Sequence, residues 1–310
     1  MRALLVVNHK ATTTSGRVRD VLVQALRSVV DLTVEHTRRR GHAAGLAEQA
    51  AHDGIDVVVA LGGDGTVNEV VNGLLAGGVN PDGPALAVVP GGSTNVFARS
   101  LGLPGEWVEA TGVLLEALRE ERYRTIGLGK ADDRYFTFCA GYGLDAEVVA
   151  RVERARHRGG NHSSLLYARA LAGQYLFDTR RSSTRITLEL PDGSTEELAS
   201  AVAQNTSPWT FIGNRRVEAS PTASFDTGLD LMGLRTLRIP NTAKVVAQLL
   251  LSGGRPAGGP HGRRILRLHD LAEFGLRANE PVAFQLDGDY LGAREKVRFT
   301  AVPRALRVFC

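Results

Sequence analysis

Cysteine is nearly absent from this 310-residue chain: there are two, Cys139 and Cys310, far apart and one of them terminal. That excludes a disulfide framework and a thiolate metal site, and it suits a reducing compartment. Long apolar runs are missing too. The first, Ala3–Val7 after a basic Met1-Arg2 start, is too short for a secretion signal or a membrane span, and no other stretch approaches the roughly 20 residues a span needs. The expectation is a cytoplasmic protein whose contact with membrane is peripheral and transient, at the inner face. No repeat recurs at a fixed period. No nucleic-acid-binding motif accompanies the net charge of +4 and isoelectric point near 9.3, so nucleic acid is not an expected partner; anionic membranes and phosphorylated substrates suit that charge.

What is present is an ordinary folded composition, 43% hydrophobic and 23% charged, with 35 glycines that imply many turns and close backbone approaches. Its length suits two cores better than one. Over the first ~120 residues, short Val/Ile/Leu runs alternate with amphipathic stretches, the pattern of a parallel sheet wound with helices. Nearly all-apolar strands are predicted at Ala3–Val7, Val57–Leu61 and Leu86–Val89, and helices at Arg17–Val29, Ala43–His52 and Trp107–Arg119. From about Arg124 the texture becomes period-two alternation broken by turn residues, which argues for an antiparallel sheet or sandwich. Strands are predicted there at Tyr135–Cys139, Arg185–Leu190, Ala199–Gln204, Leu229–Leu237, Arg264–Leu268 and Val282–Leu286. Helices are predicted at Ser163–Phe177 and Thr242–Leu251, and a loop at Ser252–Gly262.

The most informative stretch is Gly62-Gly63-Asp64-Gly65-Thr66. An apolar strand precedes it, and Val67, Val70, Val71, Leu74 and Leu75 follow at helical spacing, so it joins a strand's carboxyl end to a helix. In a parallel sheet that edge receives ligands, and glycines there let phosphates approach main-chain N–H groups at a helix's positive end. An acid beside polyphosphate implies an intervening divalent cation, hence magnesium at Asp64. The structural alternative is that Asp64 caps the helix and the glycines only turn the chain. Neither the GxxxxGK[ST] loop nor the GxGxxG fingerprint is present. A second hinge, "PGGSTNVFARSLGLP" from Pro90, repeats the arrangement after the strand Leu86–Val89; its Ser93, Thr94 and Asn95 read equally well as helix caps or as nucleotide contacts.

"GGDGTVNEVVNGL" followed by "PGGSTNVFARSLGLP", with "LDGDYLG" at 286–292 and "VPRALRV" at 302–308, resembles the diacylglycerol kinase catalytic family, which includes bacterial lipid kinases and the sphingosine and ceramide kinases. The first motif alone is shared with NAD kinases and phosphofructokinases. The resemblance implies an α/β nucleotide-binding domain at 1–122, to which 299–310 returns as a final strand. It implies a larger antiparallel β-rich lipid-substrate domain at 123–298, with the active site in the cleft between. The implied activity is transfer of the γ-phosphoryl of ATP, with Mg2+, to the hydroxyl of a lipid substrate such as diacylglycerol. Gly62, Gly63, Asp64, Gly65 and Thr66 would hold the phosphates, Asn68 and Glu69 would support that loop, and Asn8, Thr37, Thr94 and Asn95 would face the nucleotide.

Phosphoryl transfer needs alignment, charge neutralisation and an acceptor for the hydroxyl proton. Asp289, on a turn closing an apolar run, fits the last role, with Asp287 forming the turn; Asp287-Gly288 also reads as a plain hairpin signal. Three departures from the family pattern stand out: Asp289 where glutamate is usual, Val96 where an acid often follows the Thr-Asn pair, and Asn8-His9-Lys10-Ala11 in the first loop. Asp226 and Asp230 in "SFDTGLDLM" resemble a stretch where some bacterial members carry a structural magnesium, and read alternatively as a hydrated loop. Trp209, Phe211 and Ile212 read as core or as a mouth for acyl chains. The basic stretch from Arg151 through Arg158, next to apolar Leu165, Leu166 and Leu171, suits an anionic bilayer or a solvated face. The alternatives are an NAD kinase-like enzyme and a lipid-binding regulatory pseudokinase; a homodimer is left open.

Overall fold

Chain order and burial together define two units. Contacts divide the chain into Met1–Leu128 with Pro303–Cys310, and Gly129–Val302. The computed structural model describes residues 1–8, 16–157, 185–251 and 259–310. The predicted helix 163–177, the loop 252–258, His9–Ala11 of the first loop and the basic stretch beyond residue 157 lie outside these.

In the first unit, strands β1 (Arg2–Val7), β2 (Asp31–His36), β3 (Val57–Gly62) and β4 (Ala85–Pro90) pair in parallel in the order β4-β3-β1-β2. The tail of the last strand, β16 (Asp289–Phe309), adds in parallel beside β4, with Val308 opposite Leu86. Helices α1 (Gly16–Arg27), α2 (His42–His52), α3 (Asp64–Leu74), α4 (Val96–Ser100) and α5 (Trp107–Arg119) supply the crossovers. Both faces of the inner strands are buried, which is why β3 and β4 read as unbroken apolar runs. Leu5, Val59, Leu61, Ala87 and Val89 pack with Leu22 and Leu26 of α1 and Leu114 and Leu118 of α5. The alternate residues Leu4, Val6, Val58, Leu86 and Val88 face the other side and are equally buried.

In the second unit the strands β7 (Cys139–Tyr142), β10 (Ser200–Gln204), β13 (Leu229–Leu234), β14 (Ile265–Leu271) and β15 (Glu273–Leu286) are antiparallel, in the order β14-β13-β10-β7-β15-β16. β5 (Tyr123–Ala131) pairs with β6 (Arg134–Phe136), and β8 (Ile186–Glu189) with β9 (Thr195–Leu198) and β15. Its core stacks Phe274 on Phe299 at 4.8 Å, with Phe136 and Phe284 edge-on to the same ring. A short hairpin, β11 (Thr210–Ile212) and β12 (Arg215–Val217), forms a separate two-stranded sheet. Helices α6 (Leu144–His157) and α7 (Ile239–Leu251) complete the described elements. The expected strand Tyr135–Cys139 is two strands, because the chain turns aside at Thr137 and Phe138. Trp209 packs on the cluster of Val202, Met232 and Val245, so it is core, whereas Ile212 is exposed.

Candidate functional site

At the carboxyl ends of β3 and β4 the two glycine hinges lie backbone on backbone. The Gly91 N–H donates to the Gly62 carbonyl at 2.9 Å, and a Cβ at Gly92 would sit 2.7 Å from the Gly63 Cα. Such an approach is closed to any side chain, so the glycine pairs are required by packing of one hinge on the other. Gly63, Asp64, Gly65, Gly92, Ser93 and Thr94 keep solvent exposure, while Thr66, Asn68 and Asn95 are buried beneath them. The first turn of α3 presents main-chain N–H groups at its positive end, beside Gly63 and Gly65.

The buried polar residues brace this surface. Asn8 Nδ2 donates to Thr66 Oγ1 at 2.9 Å. The Asn95 amide closes its loop, accepting from Gly92 N–H and donating to Gly92 O, both at 2.9 Å. Asn95 itself holds a left-handed φ of 50°, which asparagine tolerates better than most residues. Asn68 accepts from Asn72 within α3, and the Thr37 N–H donates to the Val7 carbonyl.

Two residues stand differently from the expectation. Glu69 does not support the glycine loop: its carboxylate accepts the N–H groups of Gly41 and Ala43, at 2.8 and 3.2 Å, and so caps α2. Asp64 turns its carboxylate to the second hinge, where Oδ2 accepts from Val96 N–H and Oδ1 from Phe97 N–H, both at 3.0 Å. It is a tether between hinges and a cap for α4. No group of three acidic, histidine or cysteine side chains that could hold a metal occurs among the described residues. The hinge residues therefore do not form a protein cage for magnesium, an ion that is commonly held by one or two carboxylates together with phosphates and water.

In the second unit the Asp287-Gly288 turn has φ values of 49° and 82°, as a two-residue type I′ hairpin demands, and joins β15 to β16. Asp287 does more than turn. Only 3% exposed, its carboxylate accepts from Thr137 N–H (2.7 Å), Thr137 Oγ1 (2.9 Å), Phe138 N–H (3.0 Å) and Cys139 N–H (3.1 Å). These bonds hold the chain aside between β6 and β7. Asp289, next along, is half-buried at the start of β16.

A second carboxylate, missed in the sequence, is tied to that turn. Gln285 accepts the Gly288 N–H at 2.8 Å and donates from Nε2 to Asp145 Oδ2 at 2.6 Å. The Asp145 carboxyl lies against Gly141, where any Cβ would collide with it. The residue keeps some exposure, but its carboxyl is enclosed, and that burial pushes its pKa up to about 6 against the lowering effect of the Gln285 bond. The available signal was "GYGLDAE", an acid in the first turn of a helix just after glycines.

Asp226 and Asp230 lie in different surroundings. Asp226 is exposed, whereas Asp230 is buried and its oxygens meet His269 Nδ1 (2.7 Å), Thr222 Oγ1 (2.6 Å) and Asp270 N–H (3.2 Å). Among the described residues, an imidazole and a hydroxyl are the side-chain partners of Asp230.

Parts of this chain are similar to known proteins. The family model described as the diacylglycerol kinase catalytic domain matches residues 2–131. That match covers less than half of the chain. A protein named diacylglycerol kinase from Staphylococcus haemolyticus (strain JCSC1435) is 36% identical over 129 residues, 42% of this chain and 37% of the relative. One of the same name from Staphylococcus aureus (strain JH9) is 36% identical over 129 residues, 39% of its length. The chain thus matches under half the length of these curated relatives. By structure, the whole chain resembles a crystal structure titled as diacylglycerol kinases from Bacillus anthracis str. Sterne, with a TM-score of 0.75, 21% identity, and coverage of 99% of this chain and 96% of that one. The two share a fold, an α/β unit followed by a β-rich antiparallel one. No described helix is long and apolar enough to cross a membrane.

Proposed function

We propose that this chain is an ATP-dependent lipid kinase that transfers the γ-phosphoryl group to a lipid hydroxyl, with diacylglycerol or a related lipid as acceptor. The observation that carries this reading is the packed pair of glycine hinges within the residues that match the kinase family, exposing Gly63–Gly65 and Gly92–Thr94 beside the start of α3. Backbone N–H groups there suit phosphates, which need positioning and charge stabilisation more than covalent help. Magnesium held by the nucleotide's phosphates would supply charge neutralisation there.

In the acceptor half, Asp289 takes the proton of the lipid hydroxyl as its oxygen bonds the γ-phosphorus and the bond to the ADP oxygen breaks. Asp287 and Gln285 act as positioning residues for the turn that presents it. Asp64 positions the second hinge against the first. The protein works at a membrane surface, where its substrate resides.

The test is phosphate transfer from labelled ATP to a panel of lipids in mixed micelles with magnesium, with NAD included as acceptor. Lipid phosphorylation is the expected result, and Asp289→Asn lowers turnover by two or more orders of magnitude, about the scale of general-base catalysis, with nucleotide affinity little changed. An active variant removes Asp289 from the mechanism; phosphorylation of NAD alone removes the lipid reading. The engagement of Asp64 with main-chain N–H groups favours a second reading, a lipid-binding pseudokinase, which predicts lipid binding without turnover of ATP.

A further inference from the structure

Among the described residues of the second unit, the large apolar side chains that stay exposed are Ile212, at 41%, and Leu250, at 42%. Both belong to one layer. The β11–β12 hairpin and helix α7 pack on the same cluster, formed by Val202, Met232 and Leu234 of β10 and β13, to which the hairpin contributes Val217 and the helix Val245 and Leu249. Along the hairpin, Val217 at its base is buried in that cluster, but Ile212 at its tip is exposed. Its two-residue turn starts at Gly213 with φ 60°, the conformation a type II′ turn needs at its first central position. Ile212 lies opposite Arg215 in the register, so both project from one face of the tip. On α7, the residues at helical spacing opposite Val245 and Leu249 are Ala243, Ala247 and Leu250, all exposed, with Lys244 beside them. Neither element contains an acidic residue, and Arg215 and Lys244 are basic and exposed, while Arg216 pairs with Glu218, just past the hairpin, at 3.0 Å.

We infer that this layer docks on an anionic lipid bilayer. Ile212 and the Ala243–Ala247–Leu250 face enter the boundary between headgroups and acyl chains, and Arg215 and Lys244 meet the headgroup phosphates. An apolar edge flanked by Arg215 and Lys244, with the adjacent Glu218 largely buried and neutralised by Arg216, matches that surface. The inference rests on the reading that the substrate is a membrane lipid, but its test does not require turnover.

The full chain, without nucleotide, is sedimented with vesicles of phosphatidylcholine alone and with added phosphatidylglycerol. Binding to the anionic vesicles is expected, and Ile212→Ser with Leu250→Ser weakens it at least about tenfold, since two inserted side chains are lost. Arg215→Ser with Lys244→Ser is expected to abolish the preference for anionic over neutral vesicles. Both pairs are exposed, and an unchanged unfolding midpoint shows that the fold survives. Ile212→Trp is expected to give a blue-shifted emission with vesicles. Unchanged vesicle binding by the serine pair, no blue shift, or equal binding to neutral and anionic vesicles by the parent chain overturns the inference. So does a chain that binds no vesicles yet phosphorylates lipid in micelles. A chain that binds through these residues and phosphorylates nothing leaves the docking surface standing and removes the kinase reading.

Discussion

Asp64 in the first unit and Asp287 in the second occupy comparable places, each a carboxylate beside a glycine at the end of an apolar strand, and both bind main-chain N–H groups. They differ in depth. Among the described residues, Asp287 is buried and accepts from Thr137, Phe138 and Cys139, holding a hairpin turn to a distant segment; Asp64 is half-buried and accepts from Val96 and Phe97, holding one hinge to another. Next to them, Gly63 and Gly65 in one case and Asp289 in the other keep partial exposure. An acid on a glycine hinge can thus serve as scaffold, holding one backbone segment to another.

The comparison is broken most directly at Asp287. Replacing it by alanine leaves Thr137, Phe138 and Cys139 N–H groups without their acceptor in a dry interior, and the expected cost is about 3–5 kcal/mol in urea unfolding. Asp64→Asn keeps one acceptor oxygen at a half-exposed cap, and about 1 kcal/mol is expected. Equal losses at the two positions would erase the distinction. Gly92→Ala is next: its methyl would press on the Gly63 backbone, so a loss of about 1–3 kcal/mol is expected together with weaker nucleotide binding in calorimetry. An alanine variant as stable as the parent would mean that the hinges are not packed as described.

The smallest effect concerns Asp145. Because burial raises its folded pKa to about 6, from an ordinary 3.8, the folded state holds the proton more tightly than the unfolded one. Its contribution is therefore full below about pH 3.8, is lost as pH rises through about 6, and remains lost above. Asp145→Asn, which preserves an acceptor for Gln285, is expected to gain on the order of 1 kcal/mol at pH 7 relative to the parent and to flatten the unfolding midpoint between pH 4 and 6. A parallel pH profile for parent and variant would show that the carboxyl is not enclosed.

Much of the first unit was legible because strands covered on both faces must be apolar throughout, and β1, β3 and β4 are. The edge strand β2, "DLTVEH", escaped notice because it is mostly exposed and mixes polar residues along its length. In the second unit, β15 and β16 run for 14 and 21 residues, yet only Val282–Leu286 and the closing motifs stood out. Their pairing slips between Arg277 and Val282, around Asn279–Pro281, and their outer faces are charged, so no single period marks them. The hinge glycines were legible as strand-to-helix turns; that Glu69 and Asp64 cap other helices was not, since their partners lie 26 to 33 residues away.

Local chemistry in the sequence determined the hinges, the turn at Asp287-Gly288 and the helices that follow strands, since each depends on neighbours a few residues apart. The tertiary structure decided the rest. Which N–H groups each carboxylate satisfies, why "YFTFC" breaks into two strands, and how far Asp145 is shielded from water depend on segments up to 150 residues apart. A carboxylate's role is set by the donors and the solvent around it, and those arrive only when the chain has folded.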